Sequence, residues 1–134
     1  MKIGIDISQS IYGIGSSLYT IRLVEELLKL TENKYVLFGG SMRRLRDLRA
    51  ISENLRGDFT TKFYPLPPFL LDFIWNKLHI LNPETFAGKI DIFHSSDWTQ
   101  PPAVAKKVKT IHDLAPILFP TETHPHIVQV HKRR

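Results

Sequence analysis

Three short stretches hold most of the side chains that could take part in chemistry. The first is Tyr12-Gly13-Ile14-Gly15, followed by Ser16 and Ser17, directly after an Ile-rich run; the second is Phe93-His94-Ser95-Ser96-Asp97-Trp98; the third is Ile111-His112-Asp113-Leu114. Glycines between a strand and a helix let the backbone come close to a ligand, and the free N–H groups of the helix start attract an anion, so a diphosphate would suit the first stretch. In the other two, a histidine stands at the first polar position after an expected strand. A neutral imidazole there can donate to a sugar hydroxyl or a carbonyl and still tolerate a positively charged transition state.

Each feature also has an architectural reading. A short Gly-x-Gly can be no more than a tight turn, and the third glycine of the full dinucleotide pattern is absent. Ser16 and Ser17 suit a helix N-cap better than a nucleophile, because no base is adjacent. His94 and His112 could simply bond loop carbonyls. His112-Asp113 with His94 and Ser95 resembles a hydrolase set in composition, yet no Gly-x-Ser-x-Gly elbow follows any strand. His124, His126 and His131 lack a completing carboxylate pattern, and Pro125 is expected to break any common helical face, so no metal site is expected. Asp6 could be the acceptor carboxylate of a flavodoxin-like regulatory domain, but no acidic cluster accompanies it.

The elements that must position these residues follow from periodicity. Lys2 to Ile7 reads as a buried strand, and Leu18, Ile21, Val24, Leu27 and Leu28 recur at helical spacing after Ile14. Tyr35 to Phe38 forms a second strand closed by Gly39-Gly40; Met42, Leu45, Leu48, Ile51 and Leu55 mark a second helix. Phe59 to Tyr64 is a third strand, and Phe69 to Leu78 an apolar helix. Lys89 to Phe93 and Val108 to Ile111 are two more strands, and a further helix starts at Ile127. Strand alternating with helix gives an α/β fold, a Rossmann-like open parallel sheet with helices on both faces. Ligands of such sheets sit beyond the carboxyl ends of the strands where strand order reverses, which gathers the loops after the first, fourth and fifth strands.

At 134 residues with 43% apolar side chains, the chain has material for one core. The absence of cysteine excludes a disulfide framework and any thiol nucleophile, and suits the cytoplasm as the default compartment. No signal peptide and no long uncharged apolar span is present. A net charge of +5 favours an anionic partner without choosing one. Arg43, Arg44, Arg46, Arg49 and Arg56 crowd the second helix, where they form either a solvated face or a docking face for anionic lipid; Trp75, Phe69, Leu70, Leu71 and Phe73 read as core, with contact to a lipid acceptor as the alternative.

Taken together, Gly13-Ile14-Gly15, Asp91-Ile92-Phe93-His94 and Lys109-Thr110-Ile111-His112-Asp113-Leu114-Ala115-Pro116, followed by Phe119-Pro120 and His124-Pro125, resemble the large group-1 family of GT-B retaining glycosyltransferases. The resemblance runs along the whole chain, and the Thr-Ile-His-Asp-Leu block is its most specific part. It implies that residues 1–134 are the acceptor-side, N-terminal Rossmann-like domain, with the donor-binding domain absent, the fragment inactive alone, and about five parallel strands ending on an incompletely covered edge. It further implies catalytic roles for His112 and Asp113, and substrate contacts at Gly13, Ile14, Gly15, Ser16, His94, Ser95 and Asp97. The implied partners are a nucleotide-sugar, as substrate rather than cofactor, and a glycan, lipid or small-molecule acceptor, as in polysaccharide or glycolipid biosynthesis. Peripheral contact with the inner face of a membrane fits that reading; nucleic acid and metal do not. Ser16-Ser17 stands where the family often has an Arg. The alternative from a different class is a stand-alone α/β module that binds phosphate or a nucleotide without catalysis.

Overall fold

The computed structural model describes residues 1–13 and 15–133. Its centre is a five-stranded sheet in the order β3-β2-β1-β4-β5, formed by β1 (Lys2–Asp6), β2 (Lys34–Gly40), β3 (Phe59–Tyr64), β4 (Ile92–Ser95) and β5 (Lys106–Lys109). Every pairing is parallel. The chain moves outward from β1 through β2 to β3, then returns to the far side of β1 for β4 and β5, so strand order reverses between β1 and β4. This is a Rossmann-like α/β fold.

Both faces are covered, and the side-chain alternation of each strand decides what goes where. Ile5, Tyr35 and Leu37 point to the face packed by α1 (Gly15–Leu28) and α2 (Leu45–Asn54), where Val24, Leu28 and Leu48 complete a core. Val36, Phe38 and Phe93 point to the opposite face, under a helical segment that runs as α3 (Pro68–Leu71) and continues as a π-helix over Asp72–Lys77, and under α4 (Glu84–Ala87). Aromatic rings dominate this second core: Phe38 lies 5.6 Å from Trp75 and 5.8 Å from Phe86 between centroids. Trp75 is fully buried, and its indole N–H donates to the Leu81 carbonyl at 2.7 Å, so its one polar group is satisfied. Two short helices, α5 (Ala115–Leu118) and α6 (Pro125–Arg133), follow β5. No helix among the described residues is long and apolar enough to cross a membrane.

Several expected boundaries shift. Gly39 and Gly40 belong to β2 rather than ending it: a Cβ on Gly39 would meet Leu48 at 2.9 Å and one on Gly40 would meet Leu71 at 2.7 Å, so glycine lets helices on both faces approach the strand. Strand β4 begins later than expected and includes His94 and Ser95, while β5 begins earlier, at Lys106. The lysines hide β5 from a hydrophobicity reading, because an exposed edge strand tolerates charge on both faces. Met42 lies outside α2 and is exposed. In α1, Leu18 is exposed, and Ser17 and Thr20 occupy the buried face in its place. Pro125 opens α6 instead of breaking it, since the first helical position needs no N–H donor.

Candidate functional site

The strand reversal gathers the loops after β1, β2 and β4, as Asp6, Gly40 and Ser96 all sit at carboxyl ends. They open onto a cavity of about 510 Å³. Its buried floor is polar, with Asp6, Gln9, Ser96 and Thr99, and its exposed rim is aromatic, with Tyr12, Phe69 and Trp98. Asp72 from the π-helix and His126 and Val130 from α6 close the remaining wall. A concave, mostly apolar site with a few convergent polar groups is the usual form of a small-molecule pocket.

Asp6 is 2% exposed, and burial holds its carboxyl above the ordinary value of 3.8, with hydrogen bonds from Ser8 and Ser96 acting in the opposite direction. The Ser8 backbone N–H donates to Asp6 Oδ1 at 2.9 Å, and the Ser8 hydroxyl donates to the same oxygen while accepting the Gly40 N–H at 2.9 Å. Thr99 Oγ1 donates to Asp6 Oδ2 at 3.5 Å and bonds Ser96 Oγ at 2.9 Å. One carboxyl therefore organises three loops. Asn76 fixes the wall: its amide N–H group donates to Asp72 Oδ1 and the Trp98 carbonyl, and its Oδ1 accepts from the Gln100 N–H.

On the other face of the same junction a second cluster forms. His94 pairs in register with Ile5 and so points toward α1, whereas Ser95 points the opposite way. His94 Nε2 lies 3.2 Å from Thr110 Oγ1, which also bonds Tyr19 OH at 3.0 Å, and Tyr19 packs edge-on against the His112 ring at 4.8 Å. Burial first, and the neighbouring His112 second, hold the His94 imidazole below 6.5. The two histidines singled out in the sequence thus meet, although neither directly follows its strand: His94 lies within β4, and His112 follows β5 only after Thr110 and Ile111.

The remaining candidate residues take varied places. Gly13 has φ +70 and, like Gly15, would meet nothing within 4 Å if it carried a Cβ, so the start of α1 faces open space. Ile14 lies outside the described residues. Ser16 and Ser17 fall inside the first turn of α1 rather than before it, and Ser17 Oγ donates to the Gln9 carbonyl at 2.7 Å; neither is the N-cap. Asp113 Oδ1 accepts the Ala115 N–H at 2.7 Å and holds the turn into α5. Ser95 is buried and donates to Gln100 Oε1 at 3.3 Å, on the face away from His94, so the hydrolase-like grouping is not assembled. The backbone N–H of Asp97 donates to Gln9 Oε1 at 3.3 Å, and Gln9 Nε2 donates to Thr20 Oγ1 at 2.6 Å, which ties the two sides of the junction together.

In the sequence Asp6 stands out only as a possible regulatory carboxylate and Ser96 only within its stretch; their convergence with Gln9 and Thr99 escapes a sequence reading. Asp6, Gln9 and Thr99 lie in the right loops, but only tertiary folding shows that they converge; the available signal was an acidic residue ending a buried first strand. Among the described residues no three His, Asp or Glu side chains converge as a metal site. No known protein family matches the chain, and neither does any curated protein or solved structure.

Proposed function

We propose that this chain forms the acceptor-side domain of a retaining GT-B glycosyltransferase. The observation that carries the reading is the cavity at the strand reversal, with a buried carboxyl on its floor and aromatic rings on its rim. The Asp6 carboxyl and the Ser96 and Thr99 hydroxyls line the floor with polar groups of the kind that match the hydroxyls of a sugar or polyol acceptor. Tyr12 and Trp98 offer flat apolar area to the ring faces of the same ligand. Beside the cavity, the open start of α1 at Gly13 and Gly15 gives a donor diphosphate room to approach backbone N–H groups, and His112 stands on the facing loop to contact the transferred sugar.

The chemistry of this proposal is a front-face displacement. The bond from the anomeric carbon to the leaving diphosphate breaks as the acceptor oxygen adds from the same side, and the acceptor proton passes to the departing diphosphate. No protein nucleophile takes part; burial shifts His94 toward its uncharged form, which limits positive charge beside the oxocarbenium-like centre. The second domain of the architecture would supply the grip on the nucleotide.

The reading frame after Arg134 is the first test: a second Rossmann-like domain with basic and Glu residues in a cleft-facing loop is expected. The encoded full chain should then convert a nucleotide-sugar with retention at the anomeric carbon, as read by NMR, and His112→Ala should lower kcat by on the order of 100-fold. A stop codon at that point ends the transferase reading in favour of a phosphate- or nucleotide-binding module, for which the open glycine turn remains the supporting feature.

A further inference from the structure

The cavity rim continues into a surface that the proposed transfer chemistry does not use. A second cavity of about 290 Å³ lies between the segment leading into α2 and the start of α3, lined by Ile11, Tyr12, Met42, Arg43, Arg44 and Phe69 among others. Tyr12 and Phe69 line both cavities, so they form the partition between them. Phe69 is 73% exposed and Met42 64%, and the two line one cavity rather than standing as scattered surface residues. Phe73 and Lys77 follow Phe69 at intervals of four along the helical segment, and the Lys77 ammonium sits 5.3 Å from the Phe73 ring centre.

Arg43 and Arg44 line this second cavity, and Arg46, Arg49 and Arg56 follow along α2 and just past its end. Arg44 is bonded to Asp47 at 2.6 Å, but Arg43, Arg46, Arg49 and Arg56 are exposed and have no carboxylate partner among the described residues. An exposed Phe and Met flanked by free arginines is the composition of an interfacial membrane anchor, in which apolar side chains enter the acyl boundary and cations meet anionic headgroups. A nucleic-acid backbone would satisfy the arginines and leave Met42 and Phe69 in water.

We infer that the Met42, Arg43, Arg46 and Phe69 surface docks on an anionic lipid bilayer, and that the acceptor is an amphiphile that passes from that bilayer beside Phe69 into the larger cavity. The second half deepens the transferase reading and rests on it; the docking does not. The geometry accounts for the asymmetry of the cavity: a polar head would reach Asp6 and Thr99, and an apolar tail would leave over Phe69 toward the membrane.

Vesicle flotation of the purified chain tests the docking. Vesicles of phosphatidylcholine with phosphatidylglycerol should carry the protein, phosphatidylcholine alone should not, and added salt should release it. The double variant R43Q/R46Q should bind on the order of 25-fold more weakly. M42S and F69S should also weaken binding while keeping the wild-type melting temperature, because both side chains are exposed. Equal recovery with both vesicles, recovery with neither, or undiminished binding by R43Q/R46Q overturns the proposal. So does an RNA oligonucleotide complex that R43Q/R46Q disrupts and M42S and F69S leave intact. Flotation needs no sugar donor, so a negative result leaves the transferase reading standing, and a negative transfer assay leaves the docking standing.

Discussion

The two faces of the β1–β4 junction treat an ionisable side chain differently, although Asp6 and His94 sit at the ends of adjacent strands. Asp6 is enclosed by three loops and fully hydrogen-bonded, beneath an aromatic core that reaches from Phe38 to Phe93. His94 is only half covered, has one side-chain partner in Thr110, and lies near Tyr19 and His112 rather than against a closed wall. One face is thus built as an enclosed pocket and the other as an open shelf.

The strongest way to break this contrast is to remove the pocket's support. Trp75 is fully buried and adjoins Asn76, which anchors the Trp98 and Gln100 loop. Trp75→Ala is expected to cost about 3–5 kcal/mol in urea unfolding. It should also abolish occupancy of the larger cavity by an amphiphilic probe. A cost under about 1 kcal/mol would mean that the aromatic core does not hold the pocket wall.

A direct comparison of the two ionisable groups comes next. Asp6→Ala leaves the Ser8 N–H and two hydroxyls without their acceptor in a buried place, at a cost of about 1–3 kcal/mol. His94→Ala loses a single bond at 3.2 Å and should cost about 1 kcal/mol. Equal costs would show that both faces are closed to the same degree.

Titration sharpens the contrast because the two groups have opposite linkage. The Asp6 carboxyl is raised, so between 3.8 and its folded value the native state binds more protons than the unfolded chain, and stability falls as pH rises through that window. The His94 imidazole is lowered, so between its folded value and 6.5 the unfolded chain binds more protons, and stability falls as pH falls through that window. Relative to the parent, Asp6→Asn should therefore gain melting temperature with rising pH, and His94→Gln should gain it with falling pH below 6.5. Parallel melting curves for parent and variant across either window would remove the corresponding assignment.

Much of the open shelf was legible in the sequence, and little of the pocket was. Gly13 and Gly15, His94 and His112 announce themselves because each is a polar or glycine residue close to a strand end, a local signal, although His94 lies within β4. The parallel sheet was legible for the same reason: Tyr35 to Phe38 is a continuous apolar run, as a strand buried on both faces must be. Asp6 carries only the weak mark of an acidic residue ending a buried strand, and Gln9 and Thr99 carry none. Their meeting depends on the strand order and on a helical segment whose buried members, Leu71 and Trp75, alternate with exposed Phe69 and Phe73, and an apolar stretch does not reveal which rings face inward. The edge strand β5 was displaced in the reading because Lys106, Lys107 and Lys109 obscure its single apolar contact, Val108, opposite His94.

A last pair of variants separates the two glycines at the entrance of the shelf. Gly13 holds φ +70, where a Cβ is strained, so Gly13→Ala should cost about 1–2 kcal/mol even though nothing crowds the new methyl group. Gly15 begins α1 in helical conformation with open space around it, and Gly15→Ala should be neutral or stabilise by up to about 1 kcal/mol. The pair therefore separates folding from recognition. If Gly15→Ala melts at or above the parent and yet loses affinity for a nucleotide-sugar in the full chain, the loss comes from backbone approach to the ligand; if affinity is unchanged, the glycine serves only the turn, and the diphosphate must be sought elsewhere.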